Sequence, residues 1–381
     1  MLNNKKGEIV QKHLSYQSMT DYGCFYTPQK FVDHLIKKIK SYIPDFKNFV
    51  YLDSSSGYGS FLQSLKGLKT IGCDIDAKAV EVAKSKDNQS KYYCLNTLHN
   101  FSRESVFLKN NDKLIIIGNP PYNDTTSKVK QDLKNDKPCD IDSDLKTRDL
   151  GISFMLSYNK LKADYVAVLH PLSYMIKKTN YQLMKPFYDN YTLQTHSIVN
   201  SQEFSMTSKT RGFPIIIALY KRDKKGLSFE TIENLVFETI DNKKFNLKLD
   251  SIKNYVSKYP SKNKQYNKDD ILFFTMRDIN ALNRSKTFIQ NYGPNSIVID
   301  KSKFAYYCYV DVFKKYIHKL PYYYGNNDVF IDNKKFEKLK DVFITYSIEH
   351  NPWLKDKNIN YNYNNNYALI DNYFCELFGG K

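Results

Sequence analysis

Between Phe49 and Tyr220 the chain repeats one pattern: a short apolar run, a turn, then an amphipathic stretch. The runs are FVYLD (Phe49–Asp53), TIGCDID (Thr70–Asp76), KYYCL (Lys91–Leu95), KLIIIGN (Lys113–Asn119), YVAVLHP (Tyr165–Pro171), a segment around Gln194–Val199, and FPIIIALY (Phe213–Tyr220). Near-continuous apolar strands separated by helical stretches are the mark of a mostly parallel sheet, whose crossover helices cover both faces. The pattern therefore predicts a doubly wound, Rossmann-like α/β domain. After Arg222 glycines thin out, strands turn short and irregular, and KNKQYNKDD (Lys262–Asp270) reads as a polar loop. A chain of 381 residues exceeds what one core usually sustains. The expectation is two domains, 1–222 and 223–381, the second a smaller α+β unit.

Composition narrows the function classes. No apolar run approaches the roughly 20 residues that cross a bilayer, and the N-terminal MLNNKKGEIVQKHL lacks the apolar core of a signal peptide. The expected location is the cytoplasm, with no membrane. The cysteines (Cys24, Cys73, Cys94, Cys139, Cys308, Cys375) contain no CxxC pair and read as reduced thiols, so no structural metal or disulfide is expected. A net charge of +17 favours a polyanionic partner through steering and phosphate neutralisation. The polar insertion Asn123–Leu150 reads as a solvated lid. Its Asp140, Asp142 and Asp144 imitate the start of a calcium loop, but Leu145 and Gly151 stand where that loop needs Gly and Glu.

Two segments carry chemistry. Asp53-Ser54-Ser55-Ser56-Gly57-Tyr58-Gly59 lies where the first strand turns into a helix, and glycines there let backbone approach a ligand closely. Asp74 follows at about the 20-residue spacing at which a carboxylate grips ribose hydroxyls. The pair fits NAD or S-adenosylmethionine, but position 62 is Leu, so the dinucleotide spacing GxGxxG is missing. The second segment is Asn119-Pro120-Pro121-Tyr122, at the carboxyl end of the strand LIIIG, where open α/β sheets carry ligands. An amine conjugated to a ring is a poor nucleophile because its lone pair is delocalised. Two acceptors on its hydrogens, the Asn119 side-chain oxygen and the Pro120 carbonyl, favour the pyramidal form as the new bond develops. Tyr122 offers a flat face for a base.

In these motifs the chain resembles the N6-adenine-specific DNA methyltransferases of restriction-modification systems, in their gamma arrangement: cofactor motifs first, NPPY next, target-recognition domain last. The match covers roughly residues 22 to 222, and GCFYTP (Gly23–Pro28) resembles the family's motif X. The resemblance implies a Rossmann-like methyltransferase domain and S-adenosylmethionine as cofactor. It places cofactor binding at Tyr26, Thr27, Asp53, Ser55, Gly57, Asp74, Ile75, Asn96, Thr97, Asn119 and Pro121, and catalysis at Asn119, Pro120 and Tyr122. Asn96 stands where the family usually has Asp toward the cofactor's adenine; an Asn carbonyl can still accept that bond. Phe213 corresponds to an aromatic that stacks on a flipped adenine opposite Tyr122, and Phe154 lies where motif V is expected; core packing is the alternative for both. For Thr27 and Pro28 the alternative is a helix start, Thr27 capping and Pro28 at the first helical position.

Implied partners are double-stranded DNA and a cognate restriction endonuclease. The transfer is expected to be direct, without metal or covalent intermediate, and His170 reads as a strand end rather than a general base. Pro138-Cys139 has no strand before it, which speaks against cytosine-C5 chemistry. Three other readings stay open: RNA adenine methylation, protein-glutamine methylation with the same NPPY logic, and a catalytically degenerate DNA-binding protein. In the second domain Arg277, Arg284 and many lysines are available for base edges and phosphates, with no legible recognition sequence.

Overall fold

The computed structural model describes residues 27–122, 140–204, 212–261 and 266–379. The chain divides into two compact units, Met1–Phe245 and Asn246–Lys381.

All seven apolar runs of the first unit form strands: β1 (Val50–Asp53), β2 (Lys69–Asp74), β3 (Lys91–Cys94), β4 (Leu114–Gly118), β5 (Tyr165–Pro171), β6 (Tyr191–Asn200) and β7 (Pro214–Arg222). They make one sheet in the order β3-β2-β1-β4-β5-β7-β6. β1 to β5 are mutually parallel, whereas β7 runs antiparallel to both β5 and β6. The reversal goes with connectivity: β6 ends at Asn200 and β7 starts at Pro214, and this short connection returns the last strand in the opposite sense. β4 is buried along its whole length, as a central strand covered on both faces must be.

Helices α1 (Gln29–Tyr42), α2 (Ser60–Gln63), α3 (Ala77–Lys86) and α4 (Leu150–Lys160) accompany the sheet. α1 buries Phe31, Val32, Leu35, Ile36 and Ile39, the i, i+4 stripe of an amphipathic helix. α3 is capped by Asp76, whose carboxylate accepts from the N–H groups of Lys78 and Ala79. The strand order reverses between β1 and β4, and the crevice beyond their carboxyl ends is where such sheets bind ligands.

Two expectations change. The unit boundary lies after Phe245, not after Arg222. Residues beyond β7 form a short helix (Phe229–Glu233) and the pair β8 (Val236–Glu238) and β9 (Lys244–Asn246); β8 packs along β6, and the Ile240 N–H donates to Ile198 O at 3.0 Å. The far end of the supposed lid is fastened: Leu145 is buried, the Asp142 N–H donates to Leu98 O at 2.9 Å, and Asp142 pairs with Lys160 at 3.0 Å. Residues 123–139, including Cys139, lie outside the described residues.

The second unit has a three-stranded antiparallel sheet, β11 (Phe288–Ile289), β10 (Leu272–Phe274) and β12 (Ser296–Val298), in that order. With it pack α5 (Ile279–Arg284), α6 (Phe304–Tyr316), α7 (Lys340–His350) and α8 (Ala368–Leu377), around Tyr309, Phe313, Phe343 and Phe374. This is the smaller α+β unit the sequence predicts. Among the described residues no helix is long and apolar enough to cross a membrane.

Candidate active site

The glycine turn is tied to the two strands that follow β1 in sequence. Gly57 and Gly59 take left-handed φ values of 51° and 78°, and this bends the chain from β1 into α2. The Gly57 N–H donates to Asp74 Oδ2 at 2.7 Å, and the Asp76 N–H donates to Asp74 Oδ1 at 2.9 Å. The Thr97 hydroxyl donates to Ser54 O at 2.9 Å. Asp74 and Thr97 thus hold the turn from β2 and from the end of β3.

Asp53, at the end of β1, is 1% exposed. Burial pushes its carboxyl up to about 8, against the Ser55 N–H, which donates to Oδ1 at 3.1 Å and favours the charged form. Burial also raises Asp74, opposed by the backbone N–H groups it accepts from.

Asn119-Pro120-Pro121-Tyr122 leaves the end of β4 beside this turn. A Cβ on Gly118 would lie 2.8 Å from Asp53 Oδ1, a measure of how closely the ends of β1 and β4 meet. The Asn119 Nδ2 donates to the Thr27 hydroxyl at 3.0 Å. Pro120 is buried, and Pro121 and Tyr122 are half-buried. Burial carries the Tyr122 hydroxyl far above its ordinary range, so it stays protonated. Tyr122 and Phe213 both pack against the core cluster that includes Phe31, Val199, Phe204 and Ile215. The Phe213 N–H donates to the Ser201 hydroxyl and its carbonyl accepts the Ser201 N–H, both at 2.9 Å.

The expected helix start at Thr27 is corrected. α1 begins at Gln29 with Pro28 in the cap position, and no side chain caps it. The Thr27 hydroxyl is taken by Asn119 instead. Asn96 is engaged by the chain itself: Oδ1 accepts the Leu98 N–H at 3.0 Å and Nδ2 donates to Asp140 O at 2.7 Å. Ile75 is 60% exposed at the end of β2. Phe154 is buried in α4, 6.4 Å from Tyr158 between ring centroids. Tyr26 lies outside the described residues. Asp53 and Asp74 therefore end β1 and β2, Ser55 and Gly57 lie in the turn after β1, Asn119, Pro120 and Pro121 follow β4, and Thr27, just ahead of α1, is bonded to Asn119.

Sequence reasoning missed the support behind Tyr122. Asp149 caps α4 by accepting the Gly151 N–H at 2.9 Å, and the Tyr174 hydroxyl donates to the same carboxylate oxygen. A Cβ on Gly151 would strike the Tyr174 hydroxyl and come within 3.0 Å of Tyr122 Cβ. His170 stacks on Tyr174 at 5.5 Å and meets the Tyr220 hydroxyl at 2.8 Å; burial lowers its pKa to about 4. The sequence Asp149-Leu150-Gly151 signals a helix start, but nothing in it names Tyr174 or Tyr122 as neighbours.

No family model matches the chain, and no curated protein matches it. Solved structures do. The chain is similar to the methyltransferase subunit of a type I restriction-modification system from Streptococcus thermophilus, with 16% identity and a TM-score of 0.41 over 52% of this chain and 45% of that one. It is also similar to a 23S rRNA methyltransferase, with 11% identity and a TM-score of 0.37 over 54% of this chain and 72% of that one. A third is magnesium protoporphyrin IX methyltransferase from Synechocystis with bound SAM, with 16% identity and a TM-score of 0.32 over 51% and 79%. The chain spans less than half the length of the restriction subunit. Strand order and direction, rather than these scores, define the fold as a doubly wound Rossmann-like sheet with a reversed β7.

Proposed function

We propose that the chain is an S-adenosylmethionine-dependent DNA methyltransferase that modifies N6 of adenine in double-stranded DNA, working with a cognate restriction endonuclease. The observation that carries this reading is the Asn119 amide, held by Thr27 at the end of β4, next to the glycine turn that Asp74 fastens at the end of β1.

The residues present fit the cofactor. The Ser55 and Ser56 hydroxyl oxygens in the turn are buried and have no hydrogen-bond partner among the described residues, so a polar ligand lying on the turn would satisfy them. The Asp74 carboxylate accepts the backbone N–H groups of Gly57, Asp76 and Ile75, and with about four lone-pair sites on its two oxygens it can still accept a ribose hydroxyl. The exposed Ile75 beside it supplies apolar surface for a flat ring. Thr27, Asp53 and Gly57 complete the cradle, with Tyr26, Asn96, Thr97 and Pro121 assigned by the resemblance. When bound, S-adenosylmethionine supplies an electrophilic methyl group on a positively charged sulfur.

The rest of the chemistry belongs to the chain. The Asn119 and Pro120 carbonyl oxygens accept the two N6 hydrogens and draw the amine out of conjugation. Tyr122, with Phe213 as second aromatic, stacks on the extruded base and offsets the few kcal/mol that unpairing costs. Neither carbonyl is a base, and His170 is neutral and engaged by Tyr220, so the proton departs to water once the amine has become cationic. Holding the reactants in line supplies much of the rate.

The test is incubation with labelled S-adenosylmethionine and unmethylated duplex DNA, then digestion to nucleosides and mass analysis. Labelled N6-methyladenine that vanishes in Asn119→Ala is expected. No label in DNA from folded, cofactor-binding protein overturns the reading.

A further inference from the structure

The second unit carries an open cleft of about 620 Å³ at the end of its three-stranded sheet. One wall is the segment from Arg284 through β11 to Asn295; the other carries Trp353, the only tryptophan in the chain. Arg284 and Lys286 are exposed in this wall, as are Gln290 and Asn295, and no carboxylate lines the cleft among the described residues. Trp353 is half-buried against the unit's core, so its indole is held in place.

The two walls are tied together from beneath by one buried carboxylate. Asp311 on α6 is 4% exposed. Its Oδ1 accepts the Thr287 hydroxyl at 2.5 Å, next to Lys286 in the first wall. Its Oδ2 accepts the Asn351 amide at 3.2 Å and the Ser347 hydroxyl at 3.0 Å, two residues and six residues before Trp353. One turn further along α6, Lys314 donates to Ser285 O. A buried carboxyl group bonded to three side chains from both walls keeps its neighbours in one arrangement, so the cleft is preformed.

Cations on one side, side-chain amides beside them and an indole opposite form a donor set matched to nucleic acid. Arg and Lys neutralise phosphates, Gln and Asn pair with base edges, and an indole accepts the apolar face of a base or sugar. We infer that this cleft is the surface on which the chain reads duplex DNA, with Arg284 and Lys286 on backbone phosphates and Gln290 and Asn295 on base edges. The inference rests on the reading above that DNA is the substrate, and it assigns which residues choose the sequence.

Trp353 makes occupancy observable without any reaction. The full chain is titrated with mixed-sequence duplex DNA while intrinsic tryptophan emission and the anisotropy of labelled DNA are followed together. Emission that changes at the same midpoint as anisotropy is expected. The exposed pair Arg284→Ala/Lys286→Ala should weaken binding about tenfold and lower the salt slope by about 2, one unit for each phosphate lost. Gln290→Ala and Asn295→Ala should weaken binding to the methylated sequence more than to random duplex. Anisotropy that rises with unchanged Trp353 emission and unchanged affinity in the double variant overturns the cleft and leaves the methyltransferase reading intact. Preference for RNA duplex overturns it as stated. Absence of any DNA binding overturns both, and the methylation assay then identifies the substrate reading as the one that failed first.

Discussion

The Asn119 side-chain amide donates to the Thr27 hydroxyl at 3.0 Å, across 92 residues of sequence. This bond fixes which end of the amide faces Thr27 and so which end remains as acceptor. Thr27→Ala removes this restraint on the amide. A net hydrogen bond is worth about 1 kcal/mol, so the methyl-transfer rate should fall roughly five- to tenfold. Thr27→Ser keeps the oxygen and should stay within about twofold. Single-turnover kinetics on duplex DNA separate the two; equal rates for Thr27→Ala and the parent would show that the bond does not position Asn119.

In the proposed site Asp74 serves the cofactor rather than the base. Its carboxylate holds the Gly57 N–H at 2.7 Å and is the residue assigned to the ribose. Hydrogen bonds to charged groups contribute about 1.5–3 kcal/mol, so Asp74→Ala should weaken S-adenosylmethionine binding by about ten- to a hundredfold. Isothermal titration measures this directly, with far-UV circular dichroism confirming the fold. Unchanged affinity would remove Asp74 from the cofactor site.

Asp53 should make stability depend on pH. Its folded pKa is raised to about 8, so the native protein keeps a proton that the unfolded chain releases near pH 4. The stabilisation is present in full below about pH 4 and is lost as pH rises through about 8, at up to about 1.4 kcal/mol per pH unit. Asp53→Asn carries no titrating proton. Its melting temperature should therefore gain on the parent between about pH 5 and about pH 8 and stop gaining above that. A constant difference across the range would place the Asp53 pKa at its ordinary value.

Gly151 is the spacer behind the NPPY segment. Any side chain there meets the Tyr174 hydroxyl and Tyr122 Cβ. Gly151→Ala should displace Tyr122, lowering methylation by about tenfold or more while leaving cofactor affinity within about twofold, since a small misplacement of a reacting group is costly. The split between the two readouts is the measurement. A parallel loss of cofactor binding would mean that the whole strand end had moved.

Most of the sheet is legible without the structure. Strands buried on both faces must be apolar along their length, and β4 and β5 announce themselves that way in LIIIG and YVAVLHP. The carboxyl-end positions of Asp53, Asp74 and Asn119 follow from the same runs. β7 reads as a strand but not as a reversed one, because its direction depends on pairing with β5 and β6 rather than on its own residues. The boundary after Phe245 is equally hidden: Val236–Glu238 is short and mixed in character, and only its packing along β6 assigns it to the first unit.

The sequence by itself determined the strands, the turn glycines and the NPPY segment, because these are recorded in local periodicity and in residue types that few conformations tolerate. Tertiary structure alone decided that Thr27 serves Asn119 instead of capping a helix, that Asn96 is bonded to Asp140, that Tyr174 and Gly151 back Tyr122, and that Asp311 joins the walls of the Trp353 cleft. A hydroxyl or a carboxylate has many acceptable partners, and its choice among them is settled only by which distant segments the packed core brings within hydrogen-bond reach.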